Sequence, residues 1–136
     1  MALTYLIDTS VLTRLRNVLV AERLRALDAA GLGRAAITDL EIGYSATKGR
    51  EWDRLIAALG AFARVDVVAG DFKRALDVQR QLAVAGLKGR KVADLLIAAV
   101  AERSRLTVLH YDRDFDHIHA VTRQRTEWVV PAGSVD

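Results

Sequence analysis

Short apolar runs alternate along this chain with longer stretches in which apolar residues recur at every third or fourth position. Leu3–Ile7 reads as a buried strand that stops at Asp8-Thr9-Ser10, residue types that cap helices. A helix is expected from about Ser10, and another over Ala21–Ala30 that ends at Gly31. Arg34–Thr38 is the second expected strand. Thr38 then caps a helix over Asp39–Thr47, with Glu41 at its third position in the manner of a capping box. Trp52, Leu55, Ile56, Leu59 and Phe62 recur at helical spacing and predict an amphipathic helix over 51–63. Val65–Val68 is a third strand, and Phe72, Ala75, Leu76, Leu82 and Ala83 mark a helix closed by Gly86. Beyond the basic loop Gly86–Lys91, Val92–Ser104 is apolar nearly all round, which predicts a central, buried helix. Leu106–Leu109 and Glu127–Val130 complete a set of five strands, the last one just before Pro131.

Strands that read as unbroken apolar runs and alternate with helices predict a parallel sheet covered on both faces. In such α/β folds ligands bind outside the carboxyl ends of the strands. Asp8 ends the first strand, Glu41 lies just past the second and Asp112 just past the fourth, so all three belong on one edge of the sheet. Strand order alone does not place Asp94, near the start of the buried helix.

Composition narrows the class. The 136 residues are expected to form one domain, 1–136, and an apolar share of 51% is enough for a core. The chain has no cysteine, which excludes a disulfide scaffold and a thiolate metal site and suits a reducing cytoplasm. The N-terminal stretch lacks a basic segment and meets Asp8 too early for a signal peptide. The longest unbroken apolar run, Leu95–Ala101, is far short of the ~20 residues that cross a bilayer, so no membrane role is expected. A net charge of +3 is too mild to point to nucleic acid by itself.

The acids carry the chemistry. Asp8 and Glu41 each have an ordinary reading as helix-capping residues. Asp94 is harder to explain that way, because a helix dipole stabilises a first-turn acid by ~0.3–1 kcal/mol, and burying an unpartnered carboxylate costs several times more. Asp112, Asp114 and Asp116 stand at alternate positions, where like charges repel unless a cation sits among them. An EF-hand would need Gly and Glu where His117 and Arg123 stand. One of Asp114 and Asp116 can cap a short helix over Phe115–Ala120. His117 and His119 lack the spacing that puts two imidazoles on one helix face, and there is no P-loop, G-x-G-x-x-G or G-x-S-x-G. A receiver-like phosphotransfer domain would need paired acids after the first strand and a late lysine. Asp8 stands alone, and no lysine follows Lys91. An all-oxygen cluster selects hard cations such as Mg²⁺ or Mn²⁺.

The stretches "YLIDTSVL" (5–12), "AAITDLEIGYSA" (35–46), "KVADLLIAAVA" (91–101) and "TVLHYDRDFDHI" (107–118) together resemble the PIN-domain ribonucleases, specifically the VapC-type toxins of bacterial toxin–antitoxin modules. They occur in that family's order and span nearly the whole chain. The resemblance implies a three-layer α/β/α fold around a mostly parallel sheet of about five strands. It implies that Asp8, Glu41, Asp94 and Asp112 are the catalytic and metal-binding quartet, which brings Asp94 into the same pocket. Asp114 and Asp116 fall where the family carries further acids that act on the metal indirectly, and Thr9 and Ser10 fall in the hydroxyl-bearing turn beside the first Asp, which implies them as substrate contacts. The implied activity is Mg²⁺-dependent endoribonucleolysis, with Mn²⁺ as substitute, on structured tRNA or rRNA loops in the cytoplasm. The implied partners are a cognate VapB-type antitoxin and a second copy of the chain, and Tyr44 and Trp52 are candidate interface anchors. Lys88, Arg90, Lys91 and Arg113 are the expected phosphate contacts. One departure stands out: His110 occupies a position where the family often has Thr. A PIN-fold binding module that has lost catalysis is the competing expectation.

Overall fold

The computed structural model describes residues 2–27 and 31–136. Its elements are β1 (Tyr5–Ile7), α1 (Thr9–Leu12), α2 (Val18–Ala26), β2 (Leu32–Ala35), α3 (Ala36–Tyr44), α4 (Gly49–Ala58), a 3₁₀ turn (Leu59–Ala61), β3 (Ala63–Val65), α5 (Ala69–Val84), α6 (Val92–Ser104), β4 (Thr107–His110), α7 (Asp114–Thr122) and β5 (Thr126–Trp128). The strands lie in the order β3-β2-β1-β4-β5, and each pairing is parallel. The sheet thus matches the expected parallel arrangement.

Alternate strand residues feed the two faces, as the period of two requires. Leu6 and Val108 join Val78, Leu82, Leu96, Ile97, Phe115 and Ile118 under α5, α6 and α7. Ile7 and Leu109 join Val11, Val20, Ile42 and Leu59 on the opposite face, under α1 and α2. The helix expected to be central is central: every residue from Asp94 to Ala101 is buried. No described helix is long and apolar enough to cross a membrane.

Several boundaries differ from the sequence expectation, each for a local reason. The second strand ends at Ala35, not Thr38. Ile37 and Thr38 favour strands by their branching, yet they form the first turn of α3, where Ile37 packs against the first core cluster and Thr38 is fully buried. Thr38 therefore does not cap that helix, and its hydroxyl has no hydrogen-bond partner. The third strand is Ala63–Val65 instead of Val65–Val68. Arg34 explains the shift: its guanidinium donates to the carbonyls of Leu59 (2.9 Å) and Phe62 while pairing with Asp39 at 2.7 Å. The guanidinium thus ties down the turn past α4, where the Phe62 amide also donates to Leu59 O at 3.0 Å, and the chain passes straight into the sheet. The first helix is only one turn long. A second begins at Val18, ahead of the expected Ala21, because the Asn17 side chain accepts the amides of Leu19 and Val20. The last three residues of that expected helix, 28–30, lie outside the described residues. At α7, Asp112 accepts the amide of Asp114, so Asp114 begins the helix and does not cap it.

Candidate functional site

The chain leaves β1 toward β2 and β3 but leaves β4 toward β5, so the sheet's order reverses between β1 and β4. A crevice opens at the carboxyl ends of such a pair. Asp8 follows β1 directly, and its amide donates to Leu109 O of β4 at 2.9 Å. Asp8 is 3% exposed, and its carboxylate accepts both the amide (2.9 Å) and the hydroxyl (2.5 Å) of Ser10. The same Ser10 hydroxyl accepts the amide of Tyr111 at 2.8 Å, tying the ends of β1 and β4 together. Thr9, next to it, donates its hydroxyl to Glu41 of α3 at 2.6 Å.

Asp94 enters from the first turn of α6. It is buried, and its Oδ2 has no hydrogen-bond partner. From β4's end come Asp112 and Asp114. The Asp112 amide donates to His110 Nδ1 at 3.2 Å, so Nε2 carries the ring proton, and that nitrogen is buried without an acceptor. Asp94, Asp112 and Asp114 each offer one oxygen, all within 4.8 Å of one another. Lys91 lies over this group, its Nζ 3.6 Å from Asp112 and 3.4 Å from Asp114.

Crowded carboxylates that leave water hold their protons more tightly. Burial, reinforced by the charges of Asp8 and Asp112, pushes Asp94 up to about 8; Lys91 opposes this. Burial raises Asp8 to about 6, with the Ser10 hydrogen bonds pulling it down and Glu41 and Asp112 pushing it up. Burial between Phe115 and Trp128 lowers His110 to about 4 and keeps it neutral. Lys91 is raised, chiefly by Asp112. The donors are all oxygen, one buried carboxylate oxygen is unpartnered, and the mutual repulsion is only partly offset. These residues fit a hard divalent cation.

Asp8, Glu41, Asp94 and Asp112 thus come from four separate segments: Asp94 and Asp112 share the three-oxygen group, Asp8 is a charge neighbour of both and Glu41 of Asp8, and neither of these two is a member. Glu41 does not serve the expected capping box, since Thr38 is not a cap, and its carboxylate instead takes the Thr9 hydroxyl. Thr9 and Ser10, expected as substrate contacts, spend their hydroxyls holding carboxylates. Asp114 and Asp116, expected as a pair, part company. Asp114 stands within the three-oxygen group, whereas Asp116 is exposed and accepts the Trp128 indole N–H at 3.1 Å. Lys88, Arg90 and Arg113 are exposed. Tyr44 is 91% exposed at the end of α3, and Trp52 is half exposed, its indole laid over Gly43 so closely that a Cβ there would stand 2.6 Å from Nε1. The Lys91 contact with the acids was not foreseen. Its only trace in the sequence is a lysine three residues before Asp94, which on a helix start places both on neighbouring turns.

A family model described as the PIN domain matches residues 5–121. Ribonuclease VapC51 of Mycobacterium tuberculosis is 52% identical over the whole of both chains. Ribonuclease VapC18 of the same organism is 44% identical, over 98% of this chain and 100% of its own. Among solved structures, DNA-bound VapBC of Salmonella typhimurium superposes with a TM-score of 0.75 at 22% identity, covering 94% of this chain and 99% of the other. VapBC2 of Rickettsia felis, bound to a promoter DNA fragment, superposes at 0.74 with 20% identity, covering 94% and 98%. At that identity the structures speak for the fold, and the full-length relatives speak for the lineage. Matched by the family model through residues 5–121 and end to end by a relative with half its residues in common, the chain belongs to the PIN-domain family, in the company of its VapC members.

Proposed function

We propose that this chain, as one PIN unit over 1–136, is a VapC-type toxin: a Mg²⁺-dependent endoribonuclease, with Mn²⁺ as substitute, acting on structured RNA in the cytoplasm. The observation that carries this reading is the buried Asp94 carboxylate, unpartnered at Oδ2 and within ligand distance of Asp112 and Asp114. A structural acid at that depth would be paired; this one is kept among other acids, at a cost in stability, where the sheet's order reverses. The names of the VapC relatives, all ribonucleases, support the RNA substrate.

In this reading Asp94, Asp112 and Asp114 supply oxygen ligands, with Asp8 and Glu41 beside them. A divalent cation bound there supplies Lewis acidity toward a phosphodiester and lowers the pKa of a water molecule. Ser10 holds Asp8 and Thr9 holds Glu41, so both carboxylates keep their aim without being freely hydrated. Once charged, the carboxylates nearest the scissile bond accept the proton that the attacking water gives up. Hydrolysis breaks the bond between phosphorus and the 3′-oxygen and leaves a 5′-phosphate. The rim itself repels RNA, so Lys88, Arg90, Lys91 and Arg113 meet the flanking phosphates. The exposed ends of α3 and α4, with Tyr44 and Trp52, are the faces offered to a VapB-type antitoxin and to a second copy of the chain.

The test is antitoxin-free protein incubated with total cellular RNA, with and without Mg²⁺ or Mn²⁺, beside Asp94→Asn. Discrete fragments with 5′-phosphate ends that require both the metal and Asp94 are expected. A folded protein that cleaves nothing under any metal would favour a PIN-fold binding module.

A further inference from the structure

The loop between α5 and α6 is built to bring a positive charge onto the acidic rim. It turns at Gly86 (φ +70°) and at Gly89 (φ +96°), both in the region that side chains rarely adopt. Gly89 is buried so tightly against α7 that a Cβ would stand 2.9 Å from the carbonyl oxygen of Asp114 and 3.4 Å from the Cβ of His117. The loop is therefore fastened to the very turn that presents Asp114. Two residues later Lys91 stands at the N-cap of α6, its carbonyl accepting the amide of Leu95. Its Nζ reaches Asp112 Oδ2 at 3.6 Å and Asp114 Oδ2 at 3.4 Å. Asp112 and Asp114, with Asp94, form the group able to hold a cation. The ammonium thus competes for two of the three carboxylates that a metal would use. The Lys91 side chain is nevertheless 68% exposed, so it can leave the carboxylates without disturbing the core.

We infer that Lys91 is the resident counter-ion of the metal-free site: its ammonium holds Asp112 and Asp114 together, competes with the divalent cation for them, and is displaced outward when the cation binds. This rests on the proposed metal site. The physical reason is that carboxylates this close repel one another unless a cation stands among them, and a resident lysine ammonium and an incoming metal ion repel each other over the same distance. A lysine that only met RNA phosphates would leave metal affinity alone, and a merely solvated one would leave everything alone.

The experiment measures binding, not cleavage. Antitoxin-free wild type, Lys91→Met, Lys91→Gln, Lys91→Arg and Lys88→Met are titrated with Mn²⁺, following the loss of the free-ion electron paramagnetic resonance signal, and melted with and without the metal. Lys91→Met and Lys91→Gln should bind Mn²⁺ roughly tenfold more tightly, since a like charge a few ångströms away has been removed. Without metal they should melt below wild type, and with metal they should gain more than wild type does. Lys91→Arg and Lys88→Met should bind as wild type does. Wild-type binding with unchanged or weaker binding in both neutral Lys91 variants overturns the inference and leaves the metal site standing. No Mn²⁺ binding in wild type or in any variant overturns both.

Discussion

Replacing Asp94 by Asn keeps the size and shape of the side chain and removes its ability to ionise. In the folded, metal-free protein Asp94 is raised from 3.8 to about 8, mainly by burial and then by Asp8 and Asp112. The unfolded chain gives up this proton near pH 4, whereas the folded protein keeps it until near pH 8. Between those values the native state binds more protons than the unfolded state, so stability falls as pH rises through that window. With each pH unit worth about 1.4 kcal/mol, ionising Asp94 costs the metal-free fold several kcal/mol by pH 8, on the order of 2–4 kcal/mol once water and the Lys91 ammonium relax around it. Asp94→Asn should therefore be more stable than wild type at pH 8 in the presence of a chelator, by about that amount. It should show much less loss of stability between pH 5 and pH 8. For a domain of this size the gain corresponds to a rise in melting temperature on the order of 10 °C. Urea unfolding at pH 5 and pH 8 measures it directly, and the same variant should cleave no RNA. If Asp94→Asn is no more stable than wild type at pH 8, or if its stability falls with pH as steeply, then Asp94 is not a strained, unpartnered acid, and the account of the site built on it is wrong.

Other perturbations test the supports around it. Ser10→Ala strips Asp8 of its hydroxyl partner and leaves the Tyr111 amide unsatisfied. A loss of about 1–3 kcal/mol in chemical denaturation is expected, with RNA cleavage reduced and its acid limb moved to higher pH because the Ser10 bonds hold Asp8 down. Gly89→Ala forces a Cβ into Asp114's carbonyl at a positive φ and should cost roughly 2–4 kcal/mol in urea unfolding; wild-type stability would mean that the loop does not pack on α7. Arg34→Met removes the donor to Leu59 and Phe62 and leaves Asp39 unpaired. It should destabilise by about 2–4 kcal/mol while RNA cleavage by the remaining folded protein persists, because Arg34 touches none of the rim acids.

Sequence reading reached furthest where one local pattern admits one answer. The all-round apolar stretch Val92–Ser104 became α6 with the bounds expected of it, because nothing but burial suits such a helix. Alternating strands and helices implied the parallel sheet, and the rule for where chains leave such sheets put Asp8, Glu41 and Asp112 on one edge before any side chain was placed. Boundaries failed where a distant residue outweighed local preference. Ile37 and Thr38 read as strand, but the packing of α3 took them. The end of α4 and the start of β3 depend on an arginine 25 residues earlier that bonds the intervening carbonyls. Asn17 caps α2, and the two amides it accepts move that helix start three residues ahead of the apolar pattern.

The acids show the same division. Their identities, their order and the absence of competing thiol or phosphate-loop chemistry are properties of the one-dimensional chain, and these alone pointed to an oxygen-lined site for a hard cation. What each acid does depends on distances that spacing does not encode. Asp114 and Asp116 are two residues apart on one helix start, yet α7 turns one into the group with Asp94 and Asp112 and the other toward Trp128. Thr9 and Ser10 look like a generic hydroxyl pair, yet the pairing of β1 with β4 and the position of α3 commit each to a different carboxylate. Lys91 looks like one of three cations in a solvated loop, and only the close approach of Gly89 to α7 sets its ammonium between two carboxylates. Periodicity and residue type report what a segment can bury and what a side chain can donate. Which groups meet, and therefore which charges are left unpaired, is decided only when elements far apart in sequence pack together.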